Sequence, residues 1–308
     1  MAFRRWPVRQ RAALVLAVGS ALGLSVEWYQ GGVPGRSLSP MDVGLNLTGV
    51  LLVALICSGV GRRSQDDTTM CGNVSRSMKA KDAIEFHSRC VHGFAAKYQK
   101  APDFRERYSV WTKLIEKYSS PAASVLDVGC GVGMFSFAAA KFNKMVVGID
   151  ASPEMIEFCK QKQAELKVLN VRFGCNRLED LPGAGLAKAD LLLCSSVLDY
   201  VDDLPHCLNV VVNLLNKGGH LIVSLPNKSA IYRKVEQLTF RLTGRPSYFA
   251  HIKNVATLGE LTRQLAPRGA ALVEAHFYAK LGMSFGVLGR LADAPVLNSL
   301  FVAVYRVR

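Results

Sequence analysis

A short run of glycines and acids in the middle of the chain has the residue types needed to hold a nucleoside. Gly129, Gly131 and Gly133 alternate with other residues, and Asp127 stands two residues before the first of them. Glycine lets the backbone bend sharply and lets a ligand approach without meeting a Cβ atom. A second acid, Asp150, ends an apolar run, where a carboxylate can accept hydrogen bonds from both hydroxyls of a ribose. These residues predict a binding site of the nucleotide type.

The glycine spacing narrows the choice of ligand. A dinucleotide-binding turn would have its third glycine at the position of Met134, whereas this chain has Gly133. A ligand without phosphates suits a close turn and an acid better than it suits a helix N-terminus aimed at an anion. A tight connection between a strand and a helix, without any ligand, is the alternative. The presence of both Asp127 and Asp150 favours the binding site.

The elements that must position these residues alternate along the chain. Short apolar runs rich in β-branched residues predict buried parallel strands, at about 124–128, 145–150, 169–174, 189–194 and 219–225, with further strands at 270–278 and 299–306. Helical periodicity predicts helices at Ala80–Lys100, Asp103–Tyr118, 133–141, 153–165, 203–216, 229–243 and 257–266. Alternation of this kind requires a mostly parallel sheet with right-handed crossovers, so the expected fold class is α/β.

Three stretches in combination resemble the class I S-adenosylmethionine-dependent methyltransferases. They are Asp-Val-Gly-Cys-Gly-Val-Gly from Asp127, Asp-Leu-Leu-Leu-Cys-Ser-Ser-Val-Leu from Asp190, and Leu-Leu-Asn-Lys-Gly-Gly-His-Leu-Ile-Val from Leu214. The resemblance covers about Ala80 to Arg308 and is closer to the broad group that includes ubiquinone/menaquinone and Mg-protoporphyrin methyltransferases. It implies a Rossmann-like sheet of seven strands with an antiparallel C-terminal hairpin and helices on both faces. S-adenosyl-L-methionine is the implied cofactor.

Ligands of open α/β sheets bind beyond the C-terminal strand ends, and the resemblance assigns the residues there to parts of the cofactor. The turn after the first strand is expected near its amino-acid part: Asp127, Gly129, Cys130, Gly131 and Gly133. Asp150 is expected at the ribose, with Ala151 and Met155 near the adenine. Many relatives carry an acid after the third strand, but here Asn176, Arg177 and Leu178 occupy that place. Cys194 and Ser195 follow the fourth strand.

Methyl transfer from a sulfonium mainly requires alignment of the reacting atoms and exclusion of water. Transfer to an oxygen can also need a general base. His251 is the favoured candidate because it lies where the family builds a substrate lid, here expected from 227–268 and 279–298. His206 follows the fourth strand, and His87 and His92 on the first predicted helix are further candidates.

The first eighty residues are a different kind of sequence. Residues 12–26 and 43–60 are apolar runs of 15 and 18 residues, and arginines flank their outer ends. A bilayer core needs roughly 20 helical residues, so a membrane hairpin with both termini in the cytoplasm is one interpretation. A cleaved signal peptide and a true start at Met78 are the alternatives. The predicted division is therefore an anchor with a polar linker, 1–77, and a methyltransferase domain, 78–308.

Composition leaves several functions open. The chain is 50% hydrophobic and 20% charged, which is typical of an ordered protein, and its net charge is +14. The eight cysteines are scattered without metal-ligand spacing, so we expect reduced thiols, a cytoplasmic catalytic domain and no structural metal.

The favoured function is methylation of a small-molecule or lipid-like acceptor at O, N or C. An RNA or protein methyltransferase and a non-catalytic, membrane-tethered binding module are alternatives, although the absence of clustered stacking aromatics disfavours nucleic acid. The oligomeric state is not indicated.

Overall fold

The computed structural model describes residues 82–243, 247–280, 296 and 298–308. The two apolar runs at 12–26 and 43–60, and with them the expected anchor and linker, lie outside the described residues, as does most of the expected lid segment 279–298. Of the helices within the described ranges, none combines the length and the apolar character needed to cross a bilayer.

Seven strands in the described part of the chain form one sheet in the order β3-β2-β1-β4-β5-β7-β6. They are β1 (Ser124–Val128), β2 (Met145–Asp150), β3 (Val171–Cys175), β4 (Ala189–Ser195), β5 (Leu215–Pro226), β6 (Ala270–Lys280) and β7 (Asn298–Val307). Strands β1 to β5 are parallel, and β7 pairs antiparallel with both β5 and β6. The predicted α/β class and the antiparallel C-terminal pair are confirmed.

Eight helices accompany these strands within the described ranges. They are α1 (Ala83–Ser88), α2 (Val91–Lys100), α3 (Pro102–Tyr118), α4 (Met134–Ala139), α5 (Pro153–Leu166), α6 (Leu204–Asn213), α7 (Ile231–Thr243) and α8 (Leu258–Leu265). Short 3₁₀ segments lie at Leu178–Gly183, Ser247–His251 and Ala266–Arg268. The chain order is that of a parallel sheet built from strand–helix–strand crossovers.

Local sequence explains where several helices begin. The Ser152 side chain accepts a hydrogen bond from the Met155 N–H at the start of α5, where Pro153 has no N–H to satisfy. Asp203 caps α6 in the same way through the His206 N–H. At α8, Thr257 and Glu260 form a reciprocal capping box. Two of these starts, at α5 and α6, fix the chain just beyond β2 and β4.

The sheet is buried on both faces, and adjacent strand residues enter different cores. In β1, Val125 packs with Trp111 and Phe135, whereas its neighbour Leu126 belongs to the cluster that includes Leu208. Side chains alternate across a strand, so a strand with helices on both sides must be apolar throughout. The Trp111 ring is stacked on Phe135, with ring centroids 4.9 Å apart. This stacking fixes α3 against α4, the helix that follows the glycine turn.

Two boundaries differ from the prediction. The single helix expected at Ala80–Lys100 is two helices, because Cys90 has non-helical dihedral angles (φ −109°, ψ 11°) and its N–H bonds to the His87 carbonyl three residues back. The apolar periodicity continues across this position and gave no sign of the break. Strand β5 begins at Leu215, not 219, because the chain continues through Gly218 as an irregularity in the β4–β5 pairing. The expected helix 203–216 accordingly ends at Asn213.

The cysteines differ in part from the expectation of reduced thiols. Free thiols are found at Cys130, Cys159, Cys175, Cys194 and Cys207. Cys90, at the break between α1 and α2, is disulfide-bonded, so the expectation is wrong at this position. Scattered spacing cannot reveal a pairing that depends on the folded chain.

The described residues divide into two compact units. The larger holds residues 82–233 and the described part of 251–308, and it contains the whole sheet. The smaller includes 234–250, whose described residues comprise most of α7 and part of the following 3₁₀ segment. Within the smaller unit, the Tyr248 hydroxyl donates to Glu236 at 2.5 Å, and the rings of Phe240 and Phe249 are 5.3 Å apart.

Candidate active site

The turn between β1 and α4 has the backbone conformation that its glycines predict. Gly129, Gly131 and Gly133 have φ of 67°, 53° and 75°, which lie in the left-handed region that side chains disfavour. The N–H groups of Gly129 and Cys130 both donate to the Ile149 carbonyl, at 2.7 and 2.9 Å. The turn is therefore tied to the end of the neighbouring strand β2.

Space around the turn differs from one glycine to the next. A Cβ on Gly129 would lie 2.0 Å from Val197 Cγ2, so the protein itself excludes a side chain there. A Cβ on Gly131 would meet no atom of the described residues within 4 Å. Since Gly131 lines a cavity, its missing side chain leaves backbone open to a ligand.

Asp150 holds the turn from the tip of β2. One carboxylate oxygen accepts from the Gly131 N–H at 2.8 Å and the other accepts from the Ser152 N–H at 2.9 Å. Burial raises the pKa of Asp150, and these backbone donors counteract the rise. The residue also lines the cavity, so its carboxylate is presented next to the open backbone of Gly131.

Asp127 lies beneath the turn and not in the cavity lining. Its side chain is almost fully buried and accepts from the Ser136 hydroxyl at 2.6 Å, while Oδ1 has no hydrogen-bond partner among the described residues. Burial raises its pKa to about 7, although the Ser136 bond opposes that rise. We therefore interpret Asp127 as a structural support for the turn, since its side chain lies outside the cavity lining.

The cavity lies beyond the C-terminal ends of β1, β2, β3 and β4, where an open α/β sheet binds its ligands. Its lining brings together ten of the sequence-predicted residues: Gly129, Cys130, Gly131, Asp150, Ala151, Met155, Asn176, Arg177, Leu178 and Ser195. The Asn176 N–H donates to the Asp150 carbonyl at 3.0 Å, which fixes the segment after β3 beside the acid.

Other predicted residues lie elsewhere. Gly133 is the N-cap of α4, and Cys194 is fully buried inside β4 rather than following it. His206 is exposed at the start of α6. His251 is half-buried against Phe86, with ring centroids 5.2 Å apart, and neither histidine is part of the cavity lining.

His87, one of the further candidates for a general base, lines the cavity, and other lining residues were not predicted as ligand contacts: Phe94, Tyr98, Arg107, Tyr200 and Lys253. Most come from α1, α2 and α3. The helical spacing could have indicated the position of Arg107. It lies three residues after Phe104 and four before Trp111, and so on the same helical face as these aromatic residues.

Arg107 is a buried cation at the cavity wall. It donates to the Ser195 hydroxyl at 2.5 Å, and its guanidinium lies 5.8 Å from the Phe135 ring centroid. Its Nε has no hydrogen-bond partner within the described ranges. Burial acts to lower its pKa, but the nearby phenols and carboxyl groups, Tyr98 and Asp199 among them, raise it above the usual value. The guanidinium is therefore charged and ready to bind an anionic group.

No group of three or more metal-ligating side chains occurs in the portion of the chain that the structure describes. The arrangement at the strand ends is instead suited to an uncharged sugar and a small zwitterion. A carboxylate, open backbone and a buried guanidinium line one continuous cavity.

Comparison with known proteins gives the family. Residues 119–263 match a family model described as a methyltransferase domain. By this match, residues 119–263 form a methyltransferase domain. The matched region runs from the end of α3 to α8 and so includes the glycine turn, Asp150 and the segments after β3 and β4.

Curated relatives match a shorter part of the methyltransferase. Ubiquinone biosynthesis O-methyltransferase from Xanthomonas campestris pv. campestris is 33% identical over 109 residues, which is 35% of this chain and 45% of the relative. The protein of the same name from Coxiella burnetii is 34% identical over 105 residues, covering 34% and 44%. The chain thus spans less than half the length of these curated relatives.

Solved structures share the methyltransferase fold. Magnesium protoporphyrin IX methyltransferase from Synechocystis PCC 6803, with bound SAH, has a TM-score of 0.53 and 17% identity, and the match covers 79% of this chain and 94% of that one. The N-methyltransferase NodS from Bradyrhizobium japonicum WM9, also with SAH, has a TM-score of 0.50 and 20% identity, covering 68% and 90%. Identities at this level show the fold alone.

Proposed function

We propose that this chain transfers the methyl group of S-adenosyl-L-methionine to a small-molecule or lipid-like acceptor. The observation that carries the proposal is the open backbone of Gly131 directly beside the Asp150 carboxylate, at the C-terminal strand ends. We take residues 78–308 as the catalytic domain. The names of the curated relatives and of the structures with bound SAH support this choice of cofactor and of acceptor class.

The residues present fit each part of the cofactor. Asp150 is placed to accept hydrogen bonds from the ribose hydroxyls, and Met155 and Leu178 offer apolar surface for the adenine. The Gly131 segment would lie along the amino-acid part, where Arg107 would bind the carboxylate. When bound, the cofactor supplies a methyl group already activated by its positive sulfur.

The protein's remaining task is to position an acceptor and exclude water. The cavity wall includes Phe94 and Tyr98 from α2, and Tyr200 joins them from the segment between β4 and α6. Such a wall can hold a flat or apolar acceptor without competing for hydrogen bonds.

Calorimetry and a transfer assay test the proposal. S-adenosylhomocysteine should bind the purified protein, and incubation of host extract with S-adenosyl-L-methionine should yield a product 14 Da heavier than its precursor. A well-folded protein with no affinity for S-adenosylhomocysteine would refute the proposal and support a non-catalytic role.

Replacement of Arg107 tests the carboxylate contact. We expect Arg107→Met, which keeps much of the apolar stem, to weaken S-adenosylhomocysteine binding at least tenfold, about 1.4 kcal/mol. Binding of 5′-methylthioadenosine should change little, because that ligand lacks the amino-acid part. Equal losses for both ligands would show that Arg107 acts only on the shape of the cavity.

We propose further that the catalytic domain is cytoplasmic and that residues 12–26 and 43–60 associate with a membrane. The support is their length and flanking arginines alone. The full chain should sediment with membranes and resist extraction with carbonate, whereas a chain starting at Met78 should remain in the supernatant. Identical fractionation of the two chains would contradict membrane association.

A further inference from the structure

The cavity wall contains an imidazole with an unsatisfied nitrogen. His87, on α1, lines the cavity, and its Nε2 atom is enclosed with no hydrogen-bond partner among the described residues. An enclosed polar atom without a partner has an energetic cost, because it has lost its hydrogen bonds to water. A ligand group in the cavity that engages the imidazole would remove this cost, so the position points to a polar contact made only when the site is filled.

Aromatic rings hold the imidazole in place. The ring centroids of Tyr200, Phe86 and Phe94 lie 5.1, 5.3 and 5.7 Å from that of His87, each in an edge arrangement. A side chain packed in this way keeps its position without a hydrogen bond of its own. Because Nε2 is enclosed, the imidazole must turn within this ring cluster to present it to a ligand, and the surrounding rings favour a planar, apolar ligand.

The imidazole is uncharged at neutral pH. Burial, together with coulombic repulsion from His251, Lys97 and Arg107, lowers the pKa of His87 to about 4. The neighbouring rings of Tyr200 and Phe94 carry no charge that would oppose this lowering of the pKa. An uncharged imidazole can accept a hydrogen bond and a proton, which an imidazolium cannot.

Resting on the proposed function, we propose that His87 accepts the proton of an aromatic hydroxyl group when that group is methylated. The acceptor oxygen forms a bond to the methyl carbon as the bond from that carbon to sulfur breaks. The electron pair of the broken bond stays on sulfur, which becomes neutral, and the hydroxyl proton passes to His87. Solvent takes the proton after the product leaves.

Charge conservation favours this step in a buried site. Before transfer, one positive charge lies on the cofactor's sulfur, and afterwards one positive charge lies on His87. The cavity therefore gains no net charge, and the imidazole becomes easier to protonate at the moment the sulfonium charge is lost. The histidines favoured from the sequence are less suitable, because His206 is exposed at α6 and His251 lies outside the cavity lining.

The test compares two hydroxyl acceptors that differ in acidity. With catechol, His87→Gln should lower kcat at least 100-fold, within the range of general-base contributions. With 4-nitrocatechol, which is largely ionised near pH 8, the same variant should lose less than tenfold because no proton remains to be taken. His92→Gln is the matched control, since His92 is an exposed histidine on the following helix.

A second measurement does not depend on turnover. The absorbance of 4-nitrocatechol reports its ionisation, and binding to the S-adenosylhomocysteine complex of the natural protein should lower its apparent pKa. His87→Gln should reduce that shift, and S-adenosylhomocysteine affinity should stay within threefold.

The outcomes separate the two proposals. Equal losses with both catechols, an unchanged His87→Gln variant, or failure of both catechols to react while S-adenosylhomocysteine binds would each overturn the role of His87. Failure of S-adenosylhomocysteine to bind the natural protein would overturn the proposed function itself.

Discussion

Replacing Asp150 with alanine is expected to lower the affinity for S-adenosylhomocysteine at least 100-fold, about 2.7 kcal/mol. In the proposed function the carboxylate binds the ribose, and it already accepts hydrogen bonds from the N–H groups of Gly131 and Ser152. Its loss would remove the sugar contact and also release the turn that faces the amino-acid part. Isothermal titration calorimetry measures the change directly.

Two further variants separate binding from stability. Asp150→Asn keeps one acceptor oxygen and the side-chain shape, so its thermal unfolding should lie closer to that of the natural protein while affinity remains at least tenfold reduced. Asp180→Asn changes an exposed acid in the segment after β3 and should leave affinity unaltered. Natural affinity in a folded Asp150→Ala protein would remove Asp150 from the ribose role.

Replacing Gly131 with alanine is expected to cause a comparable loss of affinity for a different reason. The added methyl meets no protein atom within 4 Å, so folding should be impaired only by the left-handed backbone angle, which costs about 1–2 kcal/mol for residues other than glycine. The same methyl would occupy space that the cofactor needs for its close approach. We expect at least a 100-fold loss of S-adenosylhomocysteine binding by calorimetry.

Gly185 offers a matched control for this variant. Its φ is 65°, a Cβ there would also meet no atom within 4 Å, and it is absent from the cavity lining. Gly185→Ala should therefore show a similar fall in unfolding temperature with natural affinity. If the two alanine variants bound S-adenosylhomocysteine equally well, the Gly131 backbone would not be a ligand contact.

The same turn holds two glycines for unlike reasons. Gly129 is required by the protein, since Val197 fills the place of its Cβ, whereas Gly131 leaves room that no protein atom uses. A sequence pattern scores both positions alike. Only the positions of the surrounding atoms separate a glycine needed for packing from one that faces a ligand.

Much of the sheet could be predicted because its signals are local. Buried parallel strands must be apolar on both faces, so β1 and β2 were delimited from short apolar runs alone, and Asp150 followed from its place at the end of such a run. The glycine spacing likewise indicates residues with left-handed backbone angles, and this inference needs no knowledge of tertiary contacts. These inferences depend on a residue and its neighbours in sequence.

The acceptor side of the cavity could not be predicted in this way. His87 and Arg107 precede the first strand, and they reach the site only because α1 and α3 pack where the strands end. Their roles depend on burial and on partners far along the chain, such as Tyr200 for the imidazole and Ser195 for the guanidinium. The sequence alone determined the sheet, the glycine turn and the acid beside it. Tertiary structure decided which histidine and which cation enter the cavity, because desolvation and contact exist only after distant segments have packed together.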